Sequence, residues 1–153
     1  MRHRISGKIL SRTHHQRQAL LKSLARALFT HGSIKTTEAK SKAVIPLIAK
    51  ICRWAQKTDL VSRRRIFALF QDRKLTNKIV TAVNQAFADR QSNFTITKRF
   101  KKRQGDDALI VKLQFTKPYN LNPAPKVEKT TKKTALKKIV KTVKKTKAKT
   151  NEK

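Results

Sequence analysis

Thirty-nine Lys and Arg residues against eight Asp and Glu give this chain of 153 residues a formal net charge of +31. A compact fold carrying that charge repels itself unless a polyanion neutralises it, and the natural polyanion is nucleic acid. The charge is unevenly placed. No acidic residue precedes Glu38, whereas Arg2, Arg4, Lys8, Arg12, Arg17, Lys22, Arg26 and Lys35 do, and the last 28 residues hold 12 Lys with only Glu128 and Glu152. Two basic arms flank a more ordinary middle.

Composition breaks near Pro118. From Pro118 to Lys153 lie three of the four prolines, a Lys/Thr bias and a single aromatic residue, Tyr119. The chain therefore reads as a basic extended arm over residues 1–12, a globular domain over 13–117 and a lysine-rich tail over 118–153. Residues 1–117 are enough for one hydrophobic core, and they carry 27 cations against 6 carboxylates, so the folded part itself must face a polyanion. In the tail, Leu136, Ile139, Val140 and Val143 have helical spacing, but lysine repulsion and many Thr residues favour disorder. The tail has no Arg, against 13 in the body, which suits diffuse attraction rather than fork-shaped recognition.

Cys52 is the single cysteine, which excludes an internal disulfide framework and a cysteine zinc site and fits a reducing, cytosol-like compartment. No apolar run approaches the ~20 residues that span a bilayer, and no secretory core follows the first residues, so neither membrane insertion nor secretion is expected. The acid-free, Arg-rich start has the composition of an organellar transit peptide.

Periodicity divides the middle. Leu20, Leu21, Leu24, Ala25 and Leu28 recur at helical spacing from Thr13 onward, with Gly32 as the stop. Ser33 to Thr37 is short and β-branched, and Thr37 stands where an N-cap should, with Glu38 in the first turn of a second helix. That helix, Glu38 to Lys57, has one apolar stripe through Val44, Leu47, Ile48, Ile51, Trp54 and Ala55; Pro46 should bend it, or the helix starts nearer Ile45. Leu60 to Phe70 and Leu75 to Ala88 read as two further helices. The period then becomes two: Phe94, Ile96 and Phe100 alternate with Thr95, Thr97 and Arg99, and Leu109, Val111, Leu113 and Phe115 with Ile110, Lys112 and Gln114. Gly105, Asp106 and Asp107 turn these strands into a hairpin with a basic tip. The expected class is α+β, about four helices packed on a three-stranded sheet that Ser33 to Thr37 joins.

Catalytic constellations are missing. Glu38, Asp59, Asp72, Asp89, Asp106 and Asp107 each fall at a predicted cap or turn rather than converging. His3, His14, His15 and His31 lie in the basic first third, where phosphate contact or exposure explains them better than a metal. Cys52, beside Ile51 on the core helix, reads as a small buried hydrophobe. With Gly7, Gly32 and Gly105 the only glycines, no phosphate-cradling loop exists. No enzyme activity, cofactor, metal or small-molecule substrate is expected. Arg63-Arg64-Arg65 reads either as a solvated helix face or as a phosphate contact. The arm and the hairpin cluster Lys98, Arg99, Lys101, Lys102 and Arg103 favour multipoint backbone recognition.

Particular residues carry a resemblance. Met1-Arg2-His3-Arg4, Gly7, Arg12-Thr13, Arg17, Ala19-Leu20-Leu21, Thr36-Thr37, Lys40, Lys42, Pro46, Asp59-Leu60, Arg63-Arg64, Ala88-Asp89-Arg90 and Arg103-Gln104-Gly105-Asp106 resemble the bacterial ribosomal large-subunit protein seventeen family. The match covers most of the body and begins at Met1, which argues against a cleaved transit peptide. The resemblance implies an α+β fold, a place in the cytoplasmic ribosome beside neighbouring large-subunit proteins, and non-catalytic binding of large-subunit rRNA near the polypeptide tunnel exit. Gln16 stands where the family usually has His, Ser92-Asn93 replaces a Gly-Gly pair, and Ile96 replaces an Arg, with Lys98 or Arg99 available to compensate. The lysine tail is an extension to which nothing carries over.

The expected rRNA ligands are Arg2, His3, Arg4, Lys8, Arg12 and Arg17, threading into folded RNA, and Lys35, Lys40, Lys42, Arg63 and Arg64 on phosphates. Lys98, Arg99, Lys101, Lys102 and Arg103 supply a third grip, and the arm orders on binding. A histone-like, DNA-compacting protein is the rival that the Lys/Thr tail suggests.

Overall fold

The computed structural model describes residues 7–119 and Leu121, in the order α1 (His14–His31), β1 (Ser33–Thr37), α2 (Glu38–Lys57), α3 (Leu60–Phe70), α4 (Arg73–Phe87), β2 (Thr95–Lys102) and β3 (Leu109–Phe115). Arg2, His3 and Arg4 lie outside the described residues, as does the tail apart from Pro118, Tyr119 and Leu121. The class is α+β: four helices and one antiparallel sheet, ordered β1-β3-β2. β3 is central because both neighbours pair with it, Ser33 opposite Gln114 on one side and Thr95 opposite Phe115 on the other.

Local chemistry accounts for the boundaries. Gly32 closes α1 at φ 72°, a left-handed conformation with no Cβ to penalise it, and its N–H donates to the Leu28 carbonyl at 2.8 Å. Thr37 occupies the N-cap of α2, yet its side chain makes no capping bond. Asp72 does cap: its carboxylate accepts from the Leu75 N–H at 3.0 Å, which starts α4 at Arg73, two residues before its first apolar residue. α2 begins at Glu38 and runs on through Pro46, so the later start near Ile45 is not adopted. Its packing against α1, α3, α4 and all three strands offsets the backbone bond that an interior proline forfeits.

The buried face of α2 is Val44, Ile48, Ile51, Cys52 and Ala55, all with no exposure; Leu47 and Trp54, assigned to the same stripe from spacing, are half-buried at its margin. Cys52 is the small buried hydrophobe expected, and desolvation pushes its thiol up to about 12. Aromatic rings fill the space between helices and sheet: Phe29 to Phe115 at 5.4 Å, Phe87 to Phe94 at 5.6 Å and Phe115 to Tyr119 at 4.4 Å between centroids. Tyr119 is buried and Leu121 packs beside the core, so side-chain packing runs past the compositional break at Pro118.

The apolar set leading into and along the first hairpin strand, β2, divides. Phe94 is buried, but Ile96 and Phe100 are 43% and 52% exposed. Register is the reason: Thr95 and Thr97 stand opposite the buried Phe115 and Leu113, which turns Ile96 to the other face. Thr97 accordingly reaches the helix layer, its hydroxyl 3.4 Å from that of Ser41 on α2.

Candidate nucleic-acid interface

Three strands bring together cations that lie far apart in sequence. Lys35 of β1 is paired with Lys112 of β3, and Lys112 with Lys98 of β2, so one row of three lysines crosses the sheet. The flanking positions on β3, Val111 and Leu113, are buried against the helices, which leaves the lysine row on the outer face. Like charges directly opposite on neighbouring strands oppose pairing. No carboxylate occupies this face among the described residues; its other members include Ile96, Gln114 and Ile110. The register shift between Arg99 and Lys101 makes Phe100 a bulge residue, and the Lys35 ammonium lies 4.2 Å from its ring centroid. Ile96, in place of the expected Arg, faces the same way as Lys98, two residues on; Arg99 faces the helices. Of the two cations expected to compensate, Lys98 is the one on the face of Ile96. Lys112 escaped the sequence reading, although its alternation with Val111 and Leu113 already placed it on the outer face.

A second group surrounds the described part of the arm. Residues 7–12 form no helix or strand, but the chain turns at Leu10 and Ser11, both left-handed at φ 58° and 50°, and the Arg12 N–H donates to the Ile9 carbonyl at 3.3 Å. Lys8 from the arm, Arg17 from α1 and Lys42 from α2 line a cleft of about 500 Å³. Glu38 is the local counter-charge: its carboxylate is 2.6 Å from the Lys42 ammonium. The Lys42 hydrogen bond and charge hold Glu38 below its ordinary value, with Arg99 and Lys8 adding to the effect. Arg12 is exposed, its guanidinium on the Leu10 carbonyl at 3.0 Å, and Lys40 is half-buried in the first turn of α2.

Arg63 and Arg64 lie elsewhere. With Leu60, Phe67 and Arg73 they line an open groove of about 430 Å³ between α3 and α4. Arg65 leaves this group, its guanidinium 5.9 Å from the Trp54 ring centroid.

The hairpin tip is less basic than its sequence. The Arg103 guanidinium grips the Asp106 carboxylate through both ends, one contact being Nε to Oδ1 at 2.9 Å, and Lys102 Nζ meets Asp107 Oδ2 at 2.7 Å. That hydrogen bond from Arg103 is the main reason the Asp106 carboxyl falls to about 2. Lys102 and Arg103 are therefore half-neutralised within the turn they flank, while Lys101 is exposed without such a partner. No group of three or more His, Cys, Asp or Glu suited to a metal occurs among the described residues, where His14 instead meets Gln18 at 3.2 Å. No helix among them is long and apolar enough to cross a membrane.

Known proteins are similar to this sequence. The family described as Ribosomal protein L17 matches residues 20–116. A Hydrogenobaculum protein described as large ribosomal subunit protein bL17 is 38% identical over 116 residues, covering 75% of this chain and 98% of the relative. Relatives of the same description from Desulforapulum autotrophicum and Campylobacter lari are 35% and 37% identical, with 75% of this chain covered in each case and 96% and 98% of theirs. The matched segment spans every element from the middle of α1 to the end of β3, so this chain belongs to the ribosomal protein L17 family.

Proposed function

We propose that this chain is a structural constituent of the large ribosomal subunit, holding large-subunit rRNA by phosphate neutralisation and carrying out no catalysis. The observation that carries this reading is the row Lys35, Lys112 and Lys98, whose mutual repulsion a phosphate backbone would relieve. Membership of the L17 family supports the ribosomal setting, since relatives across bacteria bear the name of a large-subunit protein. The same membership supports a cytoplasmic location within the ribosome, beside other large-subunit proteins, and the sequence resemblance supports a place near the tunnel exit. Lys8, Arg17 and Lys42 form a second grip, and Arg2, His3 and Arg4 are further rRNA ligands. Lys40, Arg63, Arg64, Lys101 and the half-neutralised Lys102 and Arg103 extend the contact surface.

Two measurements test this. Quantitative mass spectrometry across a high-salt sucrose gradient should find the chain near one copy per large subunit; recovery with the nucleoid or as free protein would overturn the reading. Replacing Lys35, Lys98 and Lys112 together by Gln should flatten the dependence of log K on log salt for rRNA by about 2 to 3 units, from roughly 0.7 to 0.9 for each phosphate left without its lysine. Equal affinity for duplex DNA and folded rRNA at matched salt would favour a DNA-compacting protein instead.

A further inference from the structure

We infer that the outer sheet face holds an unpaired RNA nucleotide, its base stacked on Phe100 and the adjoining phosphates on Lys98 and Lys112. This rests on the rRNA-binding reading and adds the form of RNA that the face selects. Phe100 is 52% exposed on an edge strand, and Ile96 on the same face is 43% exposed. Exposed apolar side chains beside a lysine row gain little from a paired helix, which presents mainly phosphate and ribose. An unpaired strand offers both complements at once, phosphates for the lysines and a base face for the ring.

The backbone supports this use of the ring. A bulge between Arg99 and Lys101 re-aims Phe100, a recurrent device for presenting a side chain at a strand edge. Lys35 steadies the ring, its ammonium 4.2 Å from the centroid, and Phe100 as a whole remains exposed. The hairpin tip competes poorly for the same phosphates, because Lys102 and Arg103 already hold Asp107 and Asp106. A protein partner would be expected to answer three lysines with carboxylates; for a chain that already faces RNA, phosphates serve as the simpler counter-charge.

Fluorescence anisotropy of the full chain, with an oligouridine and a fully paired RNA hairpin at matched salt, separates the possibilities. Phe100→Ala should weaken oligouridine binding about tenfold, as removal of one base–aromatic stack does, without changing the salt slope, and should leave hairpin affinity unchanged. Phe100→Trp should retain oligouridine binding. Lys112→Gln should weaken both RNAs and flatten both slopes. Equal loss on both RNAs, or on neither, with Phe100→Ala would overturn the stacking inference while the lysine result upholds the RNA reading. Lysine variants that weaken neither RNA would overturn the reading itself. If Phe100→Ala spares both RNAs but lowers retention in the large subunit, the face contacts a protein and the inference falls.

Discussion

Tyr119 carries a hydroxyl into the aromatic core, where it finds no hydrogen-bond partner among the described residues. A buried, unpaired polar group costs free energy that an apolar isostere does not, and desolvation correspondingly pushes the phenol upward. Tyr119→Phe should therefore leave stability unchanged or raise it by about 1 kcal/mol in denaturant unfolding; a loss of that size would reveal a bond to the hydroxyl. At the hairpin tip the sign of the pH effect follows from Asp106, which falls from an ordinary 3.8 to about 2. A carboxyl depressed in the folded state adds stability that is fully present above its ordinary value and is lost as pH falls through about 2. Amide exchange at the tip, corrected for its intrinsic pH dependence, should thus show falling protection between about pH 4 and 2, and Arg103→Ala should return the Asp106 midpoint towards 3.8 by NMR titration. Asn93, one of the departures from the family pattern, sits at φ 54°, where a Gly is favoured and Asn is among the best-tolerated alternatives.

Helix ends set the next scale. α2 terminates on Thr58 at φ 55° and ψ −5°, a left-handed position that a β-branched side chain adopts only under strain. Packing holds it there, since the chain must reverse into α3 within two residues. Thr58→Gly should raise stability by about 1 kcal/mol, the left-handed penalty relieved less the entropy that glycine loses on folding, measured as a shift in the denaturation midpoint with an unchanged slope. Arg26 illustrates a basic residue absorbed by the fold: its guanidinium donates to the Phe70 carbonyl at the end of α3, where a cation also suits the helix dipole. Gln56 plays a similar part for α4, its amide donating to the Phe87 carbonyl at 2.6 Å.

Across the whole molecule, the cations occupy the outer sheet face, the cleft beside the arm and the groove between α3 and α4. A protein so charged on several sides suits a site enclosed by folded RNA. Where the folded body stops matters for dissecting it. A cut after Lys117, which composition recommends, would remove Tyr119 from its contacts with Phe29 and Phe115 and should cost about 3 kcal/mol of stability. A cut after Asn122 should leave the denaturation midpoint nearly unchanged while lowering RNA affinity in proportion to the lysines removed. Equal midpoints for the two truncations would show that Tyr119 adds nothing to the core.

What the sequence determined by itself was whatever depends on near neighbours. Helical spacing in α1 and α2, alternation in β3, and the turn and cap chemistry of Gly32, Asp72 and Gly105 are local, so element order and fold class could be read from them. The excess of cations, likewise, required a polyanion before any shape was known. Tertiary structure alone decided which cations act together. Lys35 and Lys112 are far apart along the chain, and only strand register makes them neighbours; the same register turned Ile96 outward and Arg99 towards the helices. Side-chain pairing half-silenced Lys102 and Arg103, and packing drew Tyr119 out of a segment whose composition is that of a tail. Register and packing are set by contacts between distant segments, and no local pattern encodes where those segments meet.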